Sequence, residues 1–123
     1  MQNNNSKSKI DLIHRTYKYA LKIIKLIESG NKKDFSSEIL SKQLLRSATS
    51  IGANVVEAQA GRTKKDFTNF LNHSLKSANE SKFWLGLLRD SKKVDVDLAN
   101  ELLDETHQLA NIRGARVTKL SGK

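Results

Sequence analysis

Four basic residues, Arg15, Lys18, Lys22 and Lys25, recur at spacings of three, four and three. On a helix those spacings gather the charges into one ribbon. Such a ribbon can neutralise a nucleic-acid phosphate backbone, and it can equally be an ordinary solvated face. No aromatic residues interleave with it to stack bases, and no recognition-helix motif accompanies it. The expected chemistry is therefore backbone contact with RNA or DNA, without sequence preference. A second polar set, Arg46, Ser50, Asn54 and Glu57, follows at four, four and three beside an apolar stripe. Together with Glu80 it reads as a structural polar network.

Two D-x-x-H patterns, Asp11 to His14 and Asp104 to His107, raise the question of a carboxylate-bridged metal pair, with Glu57 and Glu80 as further ligands. In an antiparallel bundle Asp11 is expected level with about position 117, roughly 20 Å along the axis from Asp104 at ~1.5 Å per residue. That register leaves no metal site. The chain has no cysteine, which removes disulfides, thiolate metal sites and a cysteine nucleophile together. It contains no P-loop, G-x-S-x-G or HExxH pattern. No catalytic residue and no cofactor is expected, and the protein reads as a non-enzyme.

The elements that carry these residues are helices. None of the 123 residues is proline, where roughly six would be usual at about 5%; helix interiors are where proline is not tolerated. Four amphipathic segments are expected. The first, 9–29, has a seam of Ile10, Ile13, Tyr17, Ala20, Ile24 and Ile27, with a second apolar line of Leu12, Tyr19, Ile23 and Leu26 beside it. The next, capped by Ser36 or Ser37 and running to about Gly61, carries Leu40, Leu44, Ala48, Ile51, Val55 and Ala58. Its middle, Ser47 to Ala53, is rich in small residues that let a neighbouring helix come close. Thr63 with Asp66 resembles a capping box opening a third helix to about Asp90, with Phe67, Leu71, Ser74, Ala78, Ser81, Leu85 and Leu88 in line. Asp95 or Asp97 caps the fourth, through about Lys119, with Leu98, Leu102, Leu109 and Ile112 on one line and Leu103, Thr106, Ala110, Val117 and Leu120 on another.

Short connections make this an all-α, antiparallel, up-down-up-down four-helix bundle of one domain over 9–120. Residues 1–8 read as a disordered polar tail and 121–123 as a frayed end. A straight hairpin turning at Arg62–Thr63 puts position n level with about 125 − n. Arg46 then faces position 79 and can pair with Glu80, while Asn54 falls level with Asn72 and His73, where an amide bridge is expected.

The formal charge is +9. Residues 1–93 hold 18 bases and 8 acids, 94–112 hold five acids and no Lys or Arg, and the last eleven residues add four bases. The acidic start of the fourth helix complements the helix dipole, or else meets the basic face of another copy. No apolar stretch suits a signal peptide or a membrane span, so a cytoplasmic location is expected.

The run Leu45-Arg46-Ser47-Ala48-Thr49-Ser50-Ile51-Gly52-Ala53-Asn54-Val55-Val56-Glu57-Ala58 resembles the R-S-x-x-S-I-x-x-N-I-x-E-G segment of the 23S rRNA-intervening-sequence, or four-helix-bundle, proteins. Phe67, Leu71 and the stretch Ser74-Leu75-Lys76-Ser77-Ala78-Asn79-Glu80-Ser81-Lys82-Phe83-Trp84-Leu85 resemble their A-L-K-E-A-N-E-T-x-Y-W-L motif. Val56 and Ala58 stand where the family usually has Ala and Gly, and Phe83 where it has Tyr. The resemblance implies a four-helix protomer in a ring-like homopentamer. It also implies kinship in fold with the accessory variability protein of diversity-generating retroelements, which binds nucleic acid and partners a reverse transcriptase. The resulting expectation is a non-enzymatic oligomer that binds RNA or DNA through a basic surface, with a protein-interaction scaffold as the alternative. The extra apolar line of the first helix, or Phe83 and Trp84, would supply the subunit contact.

Overall fold

A computed structural model describes the backbone of residues 4–30 and 34–120 and the side chains of residues 11–30 and 34–111. It contains α1 (Asn4–Glu28), α2 (Phe35–Ala60), α3 (Lys64–Asp90) and α4 (Val96–Leu120). Among the described residues each helix packs along two neighbours in the cyclic order α1, α2, α3, α4. This is the antiparallel four-helix bundle that the seams require. Among the described residues there is no strand. α1 begins at Asn4, inside the stretch read as a polar tail.

Local chemistry sets the helix ends. Asp34, not Ser36 or Ser37, caps α2: its carboxylate accepts from Ser37 N at 2.9 Å. A carboxylate two residues ahead of the serines reaches that free N–H and also holds Lys93 Nζ at 2.9 Å. The α1–α2 and α3–α4 connections are thereby tied at one end of the bundle. Ser37 through its side chain, then Lys93, then the Ser37 N–H keep the Asp34 carboxyl well below the usual carboxylate range. Thr63 Oγ1 accepts from Asp66 N at 3.0 Å to start α3, and Asp95 accepts from Leu98 N at 2.8 Å to start α4. α3 ends with Lys92 at φ 60°, while Lys93 N bonds Leu88 O at 3.0 Å. This is a Schellman closure with lysine at the position glycine usually occupies.

On α2 and α3 most of the expected stripes are buried, Leu44, Ala48, Ile51, Val55 and Ala58 facing Leu71, Ser74, Ala78, Ser81, Leu85 and Leu88; Leu40 and Phe67 are only half-buried, and Ser37 and Ser47 are buried beside the α2 stripe. On α1 the two lines exchange places. The core line is Leu12, Thr16, Tyr19, Ile23 and Leu26, all buried, whereas Tyr17 of the expected seam is 66% exposed and Ile13 and Ile27 only flank the core. With Thr16 included, the buried line has the complete four-three-four-three spacing. Thr16 is polar and so broke the pattern in sequence; its hydroxyl bonds Leu12 O and Ile13 O, both at 3.0 Å, which removes most of the cost of burying it. α4 behaves alike: Ala99, Leu102, Thr106 and Leu109 are buried, with Thr106 Oγ1 donating to Leu102 O at 2.6 Å.

The small residues of α2 serve two neighbours. Toward α3, Ser74 Oγ donates to Ile51 O at 2.8 Å, and position 74 is the one the hairpin register sets level with 51. The hydroxyls of Ser47 and Ser81 lie 2.8 Å apart, and Ser77 donates to Ser50 at 3.0 Å. Toward α1, Gly52 lets the helices close in: a Cβ there would lie 2.9 Å from Thr16 Oγ1 and 3.1 Å from Thr16 Cβ.

Candidate functional site

The basic ribbon of α1 lies beside α4. Arg15 makes a bidentate pair with Glu105, Nε to Oε2 at 2.7 Å and Nη2 to Oε1 at 3.0 Å, and Nη2 also donates to Gln108 at 2.8 Å. The Glu105 carboxylate raises the Arg15 pKa further. Lys22 pairs with Glu101 at 3.1 Å. Lys18 and Lys25 are exposed and have no carboxylate partner among the described residues. Half the ribbon is therefore neutralised within the chain. The acidic stretch of α4 does this, in addition to facing its own helix dipole, because antiparallel packing lays residues 101 and 105 along residues 22 and 15.

The same contacts correct the axial register. Tyr19 and Thr106 hydroxyls meet at 2.6 Å, so Asp11 lies level with about position 112 rather than 117. The axial gap between Asp11 and Asp104 is then nearer 12 Å by ~1.5 Å per residue. Among the described residues no three His, Asp or Glu side chains stand close enough to hold a metal ion.

On the α2–α3 side, Arg46 Nη2 donates to Glu80 Oε2. Trp84 Nε1 donates to the same oxygen at 2.9 Å, and Arg46 Nε and Nη2 reach Gln43 Oε1 at 3.2 and 2.9 Å. The cluster sits at the outer groove, not inside the bundle, with the Arg46 side chain 56% and that of Glu80 36% exposed. Trp84 first, then Arg46, hold the Glu80 carboxyl below its ordinary pKa. Sequence reasoning missed Gln43 and Trp84, although both stand at helical spacing, three before Arg46 and four after Glu80. Asn54 makes no bridge to Asn72 or His73. Its Nδ2 instead donates to Ser50 O at 2.9 Å and Ser50 Oγ at 3.0 Å, and Ser50 carries the link to Ser77. Asn72 and His73 point outward, too far round α3 for an amide already held by its own helix. Glu57 is exposed without a partner among the described residues.

Apart from Val96 at the start of α4, the large exposed apolar side chains fall by helical spacing on two separate faces. One is the outer side of the α1–α2 groove, with Tyr17 and Leu21 of α1 and Leu45 and Val56 of α2. The other is the α2–α3 face, with Phe35, Ile39, Phe83 and Leu87. Phe83 stands edge-on to the half-buried Trp84, ring centroids 5.1 Å apart. On α1 the outward line is Tyr17 with Leu21, not the Leu12–Leu26 line, which the core has absorbed. Among the described residues, no helix is long and apolar enough to cross a membrane.

The profile of the 23S rRNA-intervening sequence protein family matches residues 8–114. The chain belongs to this family. A crystal structure of a protein of unknown function from the S23 ribosomal protein family of Bacteroides thetaiotaomicron is similar, with a TM-score of 0.81 and 29% identity over 89% of this chain and 97% of that one. No curated protein matches. The family's R-S and N-E motifs therefore have visible work in this structure: Arg46 and Glu80 join α2 to α3, Ser47 meets Ser81, and Trp84 shares the Glu80 carboxylate.

Proposed function

We propose that this member of the intervening-sequence family is a non-enzymatic, self-assembling bundle whose basic surface holds nucleic acid by its phosphate backbone. The observation that carries the reading is how the exposed surface divides. Apolar side chains gather in two patches on different faces, while exposed cations such as Lys18, Lys25, Lys42 and Lys76 have no carboxylate partner among the described residues. Two unlike patches on one chain favour head-to-tail association, which gives a ring where the rotation between subunits closes. The pentamer implied by family resemblance is such a ring. Assembly would also multiply the net charge of +9 and strengthen attraction to a polyanion.

Light-scattering mass tests the assembly. Wild type should exceed one chain, and Tyr17→Asp or Phe83→Asp should lower the mass while circular dichroism stays helical. A monomeric wild type refutes assembly. Retardation of RNA or duplex DNA across a salt series tests the second half. No binding at low salt, or a log K against log salt slope near zero, refutes it. The scaffold alternative draws support from the Arg15–Glu105 and Lys22–Glu101 pairs, which leave α1 with fewer free cations than its sequence has.

A further inference from the structure

The topology brings together charges that are far apart in sequence. The start of α1, the α2–α3 turn and the end of α4 lie at one end of the bundle. Residues 4–11, 57–66 and 112–120 carry eight bases (Lys7, Lys9, Arg62, Lys64, Lys65, Arg113, Arg116 and Lys119) and three acids. At the other end, the described residues 28–30, 34–38 and 89–97 carry three bases and six acids. The net charge is thus about +5 at one end and −3 at the other. A helix of 26 residues separates the two by about 40 Å at ~1.5 Å per residue, several times the ~8 Å screening length of physiological salt. A polyanion approaching one end does not feel the other.

Local stability does not account for this arrangement. Lys64 and Lys65 occupy the first turn of α3, where the helix dipole disfavours cations. Arg62, Lys64 and Lys65 are all exposed, and none has a carboxylate partner among the described residues. The α1 ribbon, by contrast, has lost Arg15 and Lys22 to α4.

We infer that the basic end of the bundle, centred on Arg62, Lys64 and Lys65, is the main contact for the nucleic-acid phosphate backbone, in place of the α1 ribbon. The inference rests on the nucleic-acid reading above. A short loop and first helical turn present three adjacent cations without side-chain competition. Contact is to phosphate, so single-stranded RNA and duplex DNA should both bind, with little dependence on sequence.

The test uses two triple variants of the full chain with equal loss of charge, R62Q/K64Q/K65Q at the basic end and R89Q/K92Q/K93Q at the other. The probe is a single-stranded RNA of mixed sequence in a salt series. Loss of three phosphate contacts should lower affinity about 100-fold near 0.1 M salt and reduce the slope by about 2. The far-end variant should stay within a few-fold of wild type. Equal losses in the two variants would mean that net charge alone matters, and would overturn the inference while leaving the function standing. Wild type that binds no nucleic acid overturns both. Circular dichroism and light-scattering mass accompany each variant. Binding that falls only together with mass assigns this end to assembly and likewise overturns the inference.

Discussion

Replacing Gly52 by alanine should destabilise the protein, although alanine is the better helix former. The intrinsic gain is about 1 kcal/mol. Against it stands the α1–α2 approach, because the new Cβ would lie 2.9 Å from Thr16 Oγ1, 3.1 Å from Thr16 Cβ and 3.7 Å from the Thr16 carbonyl carbon. Thr16 is buried, and its hydroxyl is bonded to two carbonyls of its own helix. It cannot swing aside as a long side chain would, so α1 itself must move. Overpacking of this kind costs about 1–3 kcal/mol, leaving a net loss near 1 kcal/mol. For 123 residues that corresponds to a melting temperature lower by about 4 °C. The assay is chemical denaturation of the four members of a Thr16→Ala/Gly52→Ala cycle at one protein concentration. Thr16→Ala removes the closest contact but keeps the Cβ at 3.1 Å, so in that background the cost of Gly52→Ala should shrink towards zero, giving a coupling of up to about 1 kcal/mol. If Gly52→Ala stabilises the otherwise native chain, or the cycle shows no coupling, the close approach is not what glycine is there for.

Three further outcomes are expected. The Glu80 carboxyl is held low by Trp84 and then Arg46, so its contribution is present above the ordinary carboxylate pKa of about 4.3 and fades as pH falls through its lower folded value. Trp84 emission should report that titration with a midpoint below about 4.3, and Glu80→Gln should abolish it. Burial pushes the Tyr19 phenol up to about 12, opposed by its bond to Thr106; its stabilisation is full below pH ~10 and is lost as pH rises through the folded value. Alkaline absorbance should show a phenol titrating near 12 that Tyr19→Phe removes, with a stability cost of about 1 kcal/mol. Asp34→Ala should lower the thermal midpoint more than Asp34→Asn, because asparagine can still cap Ser37 N but cannot pair with Lys93.

Much of the fold was legible because hydrophobic periodicity and capping chemistry are local. The α2 and α3 stripes, the Thr63 and Asp95 caps and the hairpin register follow from spacings within single segments. Burial on α1 was misread at Thr16 for one reason, whereas Thr106 on α4 falls on an expected apolar line and is buried. A hydroxyl bonded to its own helix carbonyl can be buried as readily as a small apolar group, yet it looks polar in a pattern. Asp34 was missed as a cap because two serines nearer the helix offered the commoner signal. Of the candidate site, the facing of Arg46 and Glu80 could be read from an antiparallel register. The neutralisation of Arg15 and Lys22 could not be read, because their partners lie 79 and 90 residues away.

The sequence by itself determined a proline-free, strongly basic chain of four amphipathic helices, since each of those properties belongs to a residue or a short window. Only the tertiary structure decided what the charges do. Packing α4 along α1 turns two of the four ribbon cations inward to carboxylates. Antiparallel topology collects three basic segments from the beginning, middle and end of the chain at one pole. Electrostatic interaction depends on distance in space, and within a Debye length of about 8 Å it is the fold, not the order of residues, that sets which charges are neighbours.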